Sequence, residues 1–213
     1  MGKRKIWETI PEQAKIAIIR GIKDDQNISI NLNQSFIDKL AGRKRPTDPE
    51  LDKIFNTESL MLGGTEINSL DFVQHFSQIK SIYLWGTKVT DISPLSSLTN
   101  LENIYASGAK IKSYEPIRKS KLKLLYNSNS TANDYQYLSN IVTLEKLELN
   151  DNRQLTSVEW FYHLSNLEML HIAHTRVTSL RPIVELKKLQ ELLIVMTPIS
   201  ENEISFFNAN NKS

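Results

Sequence analysis

The sequence predicts an α/β solenoid. A curved, parallel β-sheet lines its concave face, 3₁₀ or turn segments its convex face, and a helical cap its N-terminal end. Three observations carry this expectation. Apolar residues return in one frame every 21–23 residues between residues 57 and 200. In all but one frame the fourth and sixth positions are both apolar and their neighbours mostly polar or aromatic, the alternation of a half-buried strand. Residues 1–56 lack the frame and show stretches of helical spacing instead.

The frame is clearest in Ile79-Lys-Ser-Ile82-Tyr-Leu84-Trp-Gly-Thr87-Lys-Val89. It restarts at Leu101, Leu122, Leu144, Leu167 and Leu189, in steps of 22, 21, 22, 23 and 22 residues. Leu60, Leu62, Thr65, Ile67, Leu70 and Phe76 fit one earlier unit that begins at Thr57, making seven units, the last truncated. The inward strand pairs are Leu60/Leu62, Ile82/Leu84, Leu147/Leu149, Leu170/Ile172 and Leu192/Ile194. Position eleven then turns into the core, and a return arc follows, with Pro94 and Pro182 where no ladder donor is needed. No unit can bury its apolar side alone, so the units must stack. This is the spacing of a leucine-rich-repeat solenoid. One unit fits poorly: Asn127 falls on a core strand position, and the preceding unit offers only Ala106 and Ala109. A local bulge or a shifted register is expected there.

The ninth position reads Thr65, Thr87, Ala109, Ser130, Asn152, Thr175 and Thr197, mostly a hydroxyl. Together with Leu84-Trp-Gly-Thr-Lys-Val-Thr-Asp-Ile-Ser-Pro-Leu-Ser-Ser-Leu-Thr-Asn-Leu101, this resembles the internalin-type repeats of bacteria and the related phosphatase-regulatory repeats. The resemblance spans residues 57–200 and implies the fold; it says almost nothing of a ligand. Internalins carry export signals and surface anchors, which this sequence does not show, so their adhesive role is not carried over.

Three regions are expected: a helical cap region at 1–56, the repeats at 57–200, and a C-terminal cap with a frayed tail at 201–213. Pro11–Lys23 reads as a helix entered at Pro11, and Asn33–Leu40 as a second. Asp48 is expected to cap a third, with Pro49 in its first turn and Leu51, Ile54 and Phe55 facing the first repeat. Ser200–Phe207 reads as a closing helix that lays Ile204 and Phe207 over the last repeat, with Asn208–Ser213 frayed.

Composition narrows the function. The formal charge of +2 gives no reason to expect nucleic acid or an anionic membrane. The basic runs Lys3-Arg4-Lys5, Arg43-Lys44-Arg45 and Arg118-Lys119 read as solvated loops or termini. The 213 residues hold no cysteine, which excludes disulfides, thiolate chemistry and cysteine zinc sites within them. There is no apolar run after the basic N-terminus and no window apolar enough to span a bilayer. A cytoplasmic, bacterial, unanchored monomer is expected. The sequence shows no phosphate loop, nucleophile elbow or zinc-protease motif, so no catalytic residues, resident metal or cofactor are expected.

Candidate site residues lie on the outward strand positions, which have no duty in the core. Position five reads Met61, Tyr83, Tyr105, Tyr126, Glu148, His171 and Leu193. Trp85 stands at position seven, and Gly64, Gly86 and Gly108 at position eight. Tyr and Trp dominate binding hot spots, and the glycines beside them are read as room for a partner. Met61, Tyr83, Trp85, Tyr105, Tyr126, Glu148 and His171 are therefore the expected partner-binding residues. Aromatics also favour strands for stability alone. The leading expectation is a non-enzymatic module that holds a protein on its concave face, as an inhibitor, immunity or regulatory protein. Two alternatives stay open. One is a metal-dependent enzyme at His171 and His174, which lie beside Glu148 and Asp151. The other is single-stranded RNA stacking on the tyrosines, against which the near-neutral charge speaks. His75 and His163 are expected to be structural.

Overall fold

The computed structural model describes the backbone of residues 2–24 and 46–211. The helix expected at Asn33–Leu40 and the run Arg43–Arg45 lie outside the described residues. Seven strands form one parallel sheet in chain order. They are β1 (Ser59–Met61), β2 (Ser81–Tyr83), β3 (Asn103–Tyr105), β4 (Leu124–Tyr126), β5 (Lys146–Glu148), β6 (Met169–His171) and β7 (Glu191–Leu193). The register is even along the stack: Leu60, Ile82, Ile104, Leu125, Leu147, Leu170 and Leu192 lie side by side. From Leu60 to Leu170 each of these is fully buried. Short 3₁₀ segments, from Asp71–His75 to Arg181–Ile183, carry the chain back across the convex side.

The seven residues that follow the strands at position eight all have positive φ. Gly64, Gly86 and Gly108 stand at φ 71°, 65° and 85°; Asn129, Asp151, His174 and Met196 stand at 59°. The chain leaves each strand through a left-handed residue, which glycine adopts without a Cβ penalty and Asn or Asp tolerates. Positive φ is a reason for these glycines that needs no partner. A Cβ at Gly86 would meet nothing within 4 Å, so backbone conformation, not space, selects glycine there.

Past that turn, the ninth residue caps the carbonyl of the sixth. Thr65, Thr87, Thr175 and Thr197 donate to the carbonyls of Leu62, Leu84, Ile172 and Ile194 at 2.7–2.8 Å. Ala109 has no hydroxyl to do this, and here Asn127 finds its purpose. Its amide donates to the Ala106 carbonyl at 2.9 Å and to that of Ala109 at 3.3 Å. Its Oδ1 accepts from the Tyr114 hydroxyl at 3.0 Å. Asn152 in turn donates to the Asn127 carbonyl at 3.0 Å. The bulge or slip expected around Leu122–Ala132 does not occur. The small side chains of Ala106 and Ala109 accompany the fully buried Tyr114 ring, and Asn127 supplies the acceptor that ring needs. Burial drives the Tyr114 hydroxyl far above its ordinary pKa, so it stays a neutral donor.

Three helices cover the first repeat. α1 (Lys3–Thr9) was not foreseen from the sequence; it buries Trp7, with Ile10 following it into the core. Its Lys3 and Arg4 reach Asp52 and Asp48 at 2.6 and 2.5 Å, so this basic run is a helix contact and not a loose terminus. α2 (Glu12–Asp24) buries Ala14, Ala17 and Ile18 on one face and packs on β1. α3 (Asp48–Phe55) is capped by Thr47, one residue before the expected Asp48. The Glu50 carboxylate accepts from the Thr47 backbone N–H at 2.6 Å, half of a capping box. Phe55 then meets Phe76 of the first arc, ring centroids 5.0 Å apart.

At the other end α4 (Glu201–Asn210) closes the stack, entered at Ser200. Ile204 is half-buried and Phe207 buried, as expected. The helix runs past Phe207, and Asn211 donates to the carbonyls of Val184 and Leu186 at 2.8 and 3.1 Å. Residues 208–211 are therefore tied down and not frayed. Glu203 docks the helix, accepting from Ser179 at 2.7 Å and Arg181 at 2.9 Å. The Ser179 hydrogen bond first and the Arg181 one second hold its carboxyl below the usual glutamate range.

Two stability outcomes follow from this packing. Leu147→Ala is expected to cost about 2–5 kcal/mol in urea denaturation, and Tyr105→Ala, on the outward side, clearly less. Equal losses would mean that the strand faces are exchanged. Asn127→Leu is expected to cost about 1–3 kcal/mol, because it orphans the Tyr114 hydroxyl and two carbonyls. Adding Tyr114→Phe should recover part of that loss. Strict additivity of the two changes would show that they do not share one network.

Candidate functional site

The concave face is built from the outward positions of seven short strands, so its chemistry reads as columns across the sheet. In the position-five column, Tyr83 and Tyr105 stack face to face, centroids 4.4 Å apart and planes within 2°. Tyr126 meets Tyr105 edge-on at 5.6 Å. Its hydroxyl lies 3.8 Å from the Met169 sulfur. All three rings are half-buried, so they shade one another and offer less area than four isolated rings would. Burial and then the Glu148 carboxylate raise the pKa of the Tyr126 phenol. It therefore remains a hydrogen-bond donor at neutral pH.

Trp85 is the most exposed ring of the concave face, at 51% exposure. Its indole lies against the backbone of the preceding unit. A methyl at Gly63 would overlap the ring, and one at Gly64 would stand 3.1 Å from it. One face of the indole is seated and the other is free. Gly63 was not singled out from the sequence, although the position-seven column sets it directly beside Trp85. That juxtaposition is the signal that marks it.

Beyond Tyr126 the column turns polar. Glu148 pairs in register with His171, but its carboxylate is held from the other side, by Ser128 at 2.6 Å and Ser107 at 3.4 Å. His171 Nε2 instead meets Glu191 at 2.7 Å. His174 and Asp151 occupy the exposed left-handed turns. Among the described residues no three His, Asp or Glu side chains gather where they could hold a metal. The four residues of the proposed metal patch are thus split between two separate hydrogen-bonded groups and an exposed edge. Met61, at the other end of the column, is half-buried beside Tyr83. The expected partner-binding residues therefore form one row, with Trp85 beside it.

Elsewhere, His75 is half-buried on the first arc. His163 is exposed and lies 3.7 Å from the Tyr162 ring, a surface position and not the structural one expected. Val195 and Met196, 56% and 74% exposed, leave the last strand more apolar than the middle ones.

With fold and face described, comparison with known proteins places the chain. The leucine rich repeat family matches residues 142–199. Among curated proteins, none matches the sequence. Internalin C2 from Listeria monocytogenes shares the fold with a TM-score of 0.69 at 19% identity, over 90% of this chain and 86% of its own. The internalin InlF of the same organism does so with a TM-score of 0.66 at 17% identity, over 80% of this chain and 50% of its own. A plant peptide hormone receptor, RGFR1, solved in complex with RGF2, has a TM-score of 0.55 at 17% identity, over 70% of this chain and 26% of its own. The chain spans about half the length of InlF. The protein has the fold of a leucine-rich-repeat solenoid, and its repeats are similar to those of the internalins. Likeness at these identities concerns the fold alone. No helix among the described residues is long and apolar enough to cross a membrane.

The seat of Trp85 makes a direct prediction. Gly63→Ala is expected to lift the indole into water and shift tryptophan emission to the red, and to do nothing to emission in a Trp85→Phe background. Unchanged emission in the first variant would show that the ring does not rest on Gly63.

Proposed function

We propose that this chain is a non-enzymatic binding module that holds a protein partner against its concave face, in the role of an inhibitor, immunity or regulatory protein. The observation that carries the proposal is the aromatic row: the Tyr83–Tyr105–Tyr126 ladder with Trp85 beside it, one indole face seated and the other open. Such rings present large amphipathic area with little conformational freedom left to lose on binding. They stand on a sheet whose register is uniform across seven strands, so the row is rigid before any partner arrives. Leucine-rich repeats commonly serve as interaction modules, and one structural neighbour is a receptor in complex with its peptide hormone. The Listeria neighbours support a bacterial setting. A cytoplasmic, monomeric protein is proposed with it.

The hydrogen-bonded Glu148 and His171 continue the row as a polar rim. A hydrophobic centre with a polar border is the usual anatomy of an interface. The partner is expected to cover the N-terminal half of the face more than the Leu193–Met196 end.

Affinity capture from native cells, followed by titration of the recovered partner, tests this. Tyr83→Ala, Trp85→Ala and Tyr105→Ala are each expected to weaken binding by about 1–4 kcal/mol. Their effects should be non-additive in pairs, since adjacent rings share contacts. Ser97→Ala, on the convex arc, should change little. Native affinity in the triple alanine variant would remove the concave face from consideration.

A further inference from the structure

The last strand carries the longest unbroken apolar run of the sequence, Leu192-Leu193-Ile194-Val195-Met196. An unbroken run is the pattern of a parallel strand covered on both faces. Yet β7 stands at the edge of the sheet. Val195 and Met196 are 56% and 74% exposed, and Leu192, Leu193 and Ile194 are half-buried. Edge strands are usually blunted by lysine, proline or a covering element. No lysine or proline stands between Gln190 and Met196. The one charge there, Glu191, is turned back to His171 at 2.7 Å. The closing helix α4 packs on the last arc, Arg181–Ile183.

The backbone of this edge keeps the form of an interior unit. Met196 holds the left-handed turn at φ 59°, and Thr197 caps the Ile194 carbonyl at 2.7 Å. In each of the six earlier units the same three backbone groups reach forward to the next unit. In the sixth, the Ile172 N–H donates to the Leu193 carbonyl and the His174 N–H to the Val195 carbonyl, both at 2.9 Å. The Glu168 carbonyl accepts from the N–H groups of Gln190 and Glu191 at 2.9 and 3.0 Å. The equivalents in the seventh unit are the Ile194 N–H, the Met196 N–H and the Gln190 carbonyl. Among the described residues these three have no partner.

The occupant is narrowed by the same groups. A second copy that continued the concave face from this edge would bring its own β7 antiparallel. Opposed residues in an antiparallel ladder exchange both N–H and carbonyl. The Ile194 carbonyl already accepts from the Thr197 N–H and hydroxyl, at 3.2 and 2.7 Å. Head-to-tail stacking of copies would need a free β1, which α2 covers. A parallel strand from another protein needs only the three groups that are free.

We infer that the edge of β7 takes an extended apolar segment of a partner protein, added in parallel as an eighth strand. Its carbonyls accept from Ile194 and Met196, and its N–H groups donate to Gln190. Alternate side chains lie over Leu192 and Ile194 on the core side and beside Leu193 and Val195 on the concave side. Main-chain bonds give such strand addition its affinity and the alternate side chains its selectivity. The site is separate from the Trp85 end of the concave face.

The test titrates the full chain into a labelled synthetic peptide with the sequence of residues 101–112, an interior strand with its exit turn, and reads fluorescence anisotropy. Saturable binding is expected, and none with a scrambled peptide of the same composition. N-methylation at the residues matching Glu102 and Asn103 removes the donors to Gln190 and should weaken binding at least about tenfold. Ile194→Pro removes an N–H that faces outward, which an edge strand tolerates, and should weaken binding as much. Met196→Lys, on an exposed side chain, is expected to weaken it severalfold and serves if the proline variant does not fold by circular dichroism. Trp85→Ala should leave affinity within about twofold, being far along the sheet. Equal loss in Trp85→Ala would overturn the inference by moving the peptide to the aromatic row. Equal binding of the scrambled peptide would overturn it by reducing the edge to a sticky surface, and absence of saturable binding would overturn it outright. So would a dimer of the chain alone in analytical ultracentrifugation that Met196→Lys dissolves, which would give the edge to a second copy.

Discussion

Each turn of this coil must leave a three-residue strand, reverse direction and return without stranding a backbone carbonyl in the core. The left-handed residue at position eight and the cap on the position-six carbonyl meet that requirement together. Everything else is hung on it. Register is uniform because every unit makes the same exit, and the aromatic row is straight because register is uniform. An unpaired buried carbonyl costs more than most single contacts return, so the requirement is stringent. Chemical identity at position nine is less so. A threonine hydroxyl satisfies it in four units, and an asparagine amide from the next strand satisfies it where Ala109 offers nothing.

The same economy explains how one scaffold holds two different surfaces. Strand side chains at alternate positions have no role in the core, so the concave face is free to be aromatic at one end and hydrogen-bonded at the other. On the convex side the arcs are less regular, since 3₁₀ segments of three to six residues all bridge the same gap. Irregularity there costs little backbone pairing and opens space, as in the groove between the Ser93–Ser97 and Glu115–Ile117 segments. A rigid ladder on one side and a tolerant arc on the other give the coil two unlike surfaces.

The ends obey a different rule. A solenoid cut anywhere exposes a slice of core. At the N-terminal end Trp7, Ile18, Ile54 and Phe55 cover it and are themselves buried. At the C-terminal end α4 covers less. Leu192, Ile194 and Ile199 remain partly accessible, although their counterparts within the stack are buried. Asn211, Glu203 and Arg181 hold α4 by polar contacts at its margins. The two ends are therefore closed by different physics, one by apolar burial and the other largely by hydrogen bonds.

The period of the apolar residues was enough, by itself, to determine the repeat, the strand faces and the columns of outward side chains. A fold built by translation along one axis makes spatial neighbours of residues one period apart. Tyr83, Tyr105 and Tyr126 were thus legible as a row, and Glu148 as the neighbour of His171. Tertiary structure alone decided what local spacing does not encode. It seated Trp85 on Gly63, turned Glu148 towards Ser128 and His171 towards Glu191, and resolved Asn127 as a capping residue for its neighbour's carbonyls. It also set the glycines of position eight in left-handed turns, and drew the basic N-terminus into α1 against α3. These outcomes depend on rotamers, backbone dihedrals and the partners that long-range packing delivers. A periodic pattern says which residues meet, while hydrogen-bond satisfaction in the packed interior says how they meet.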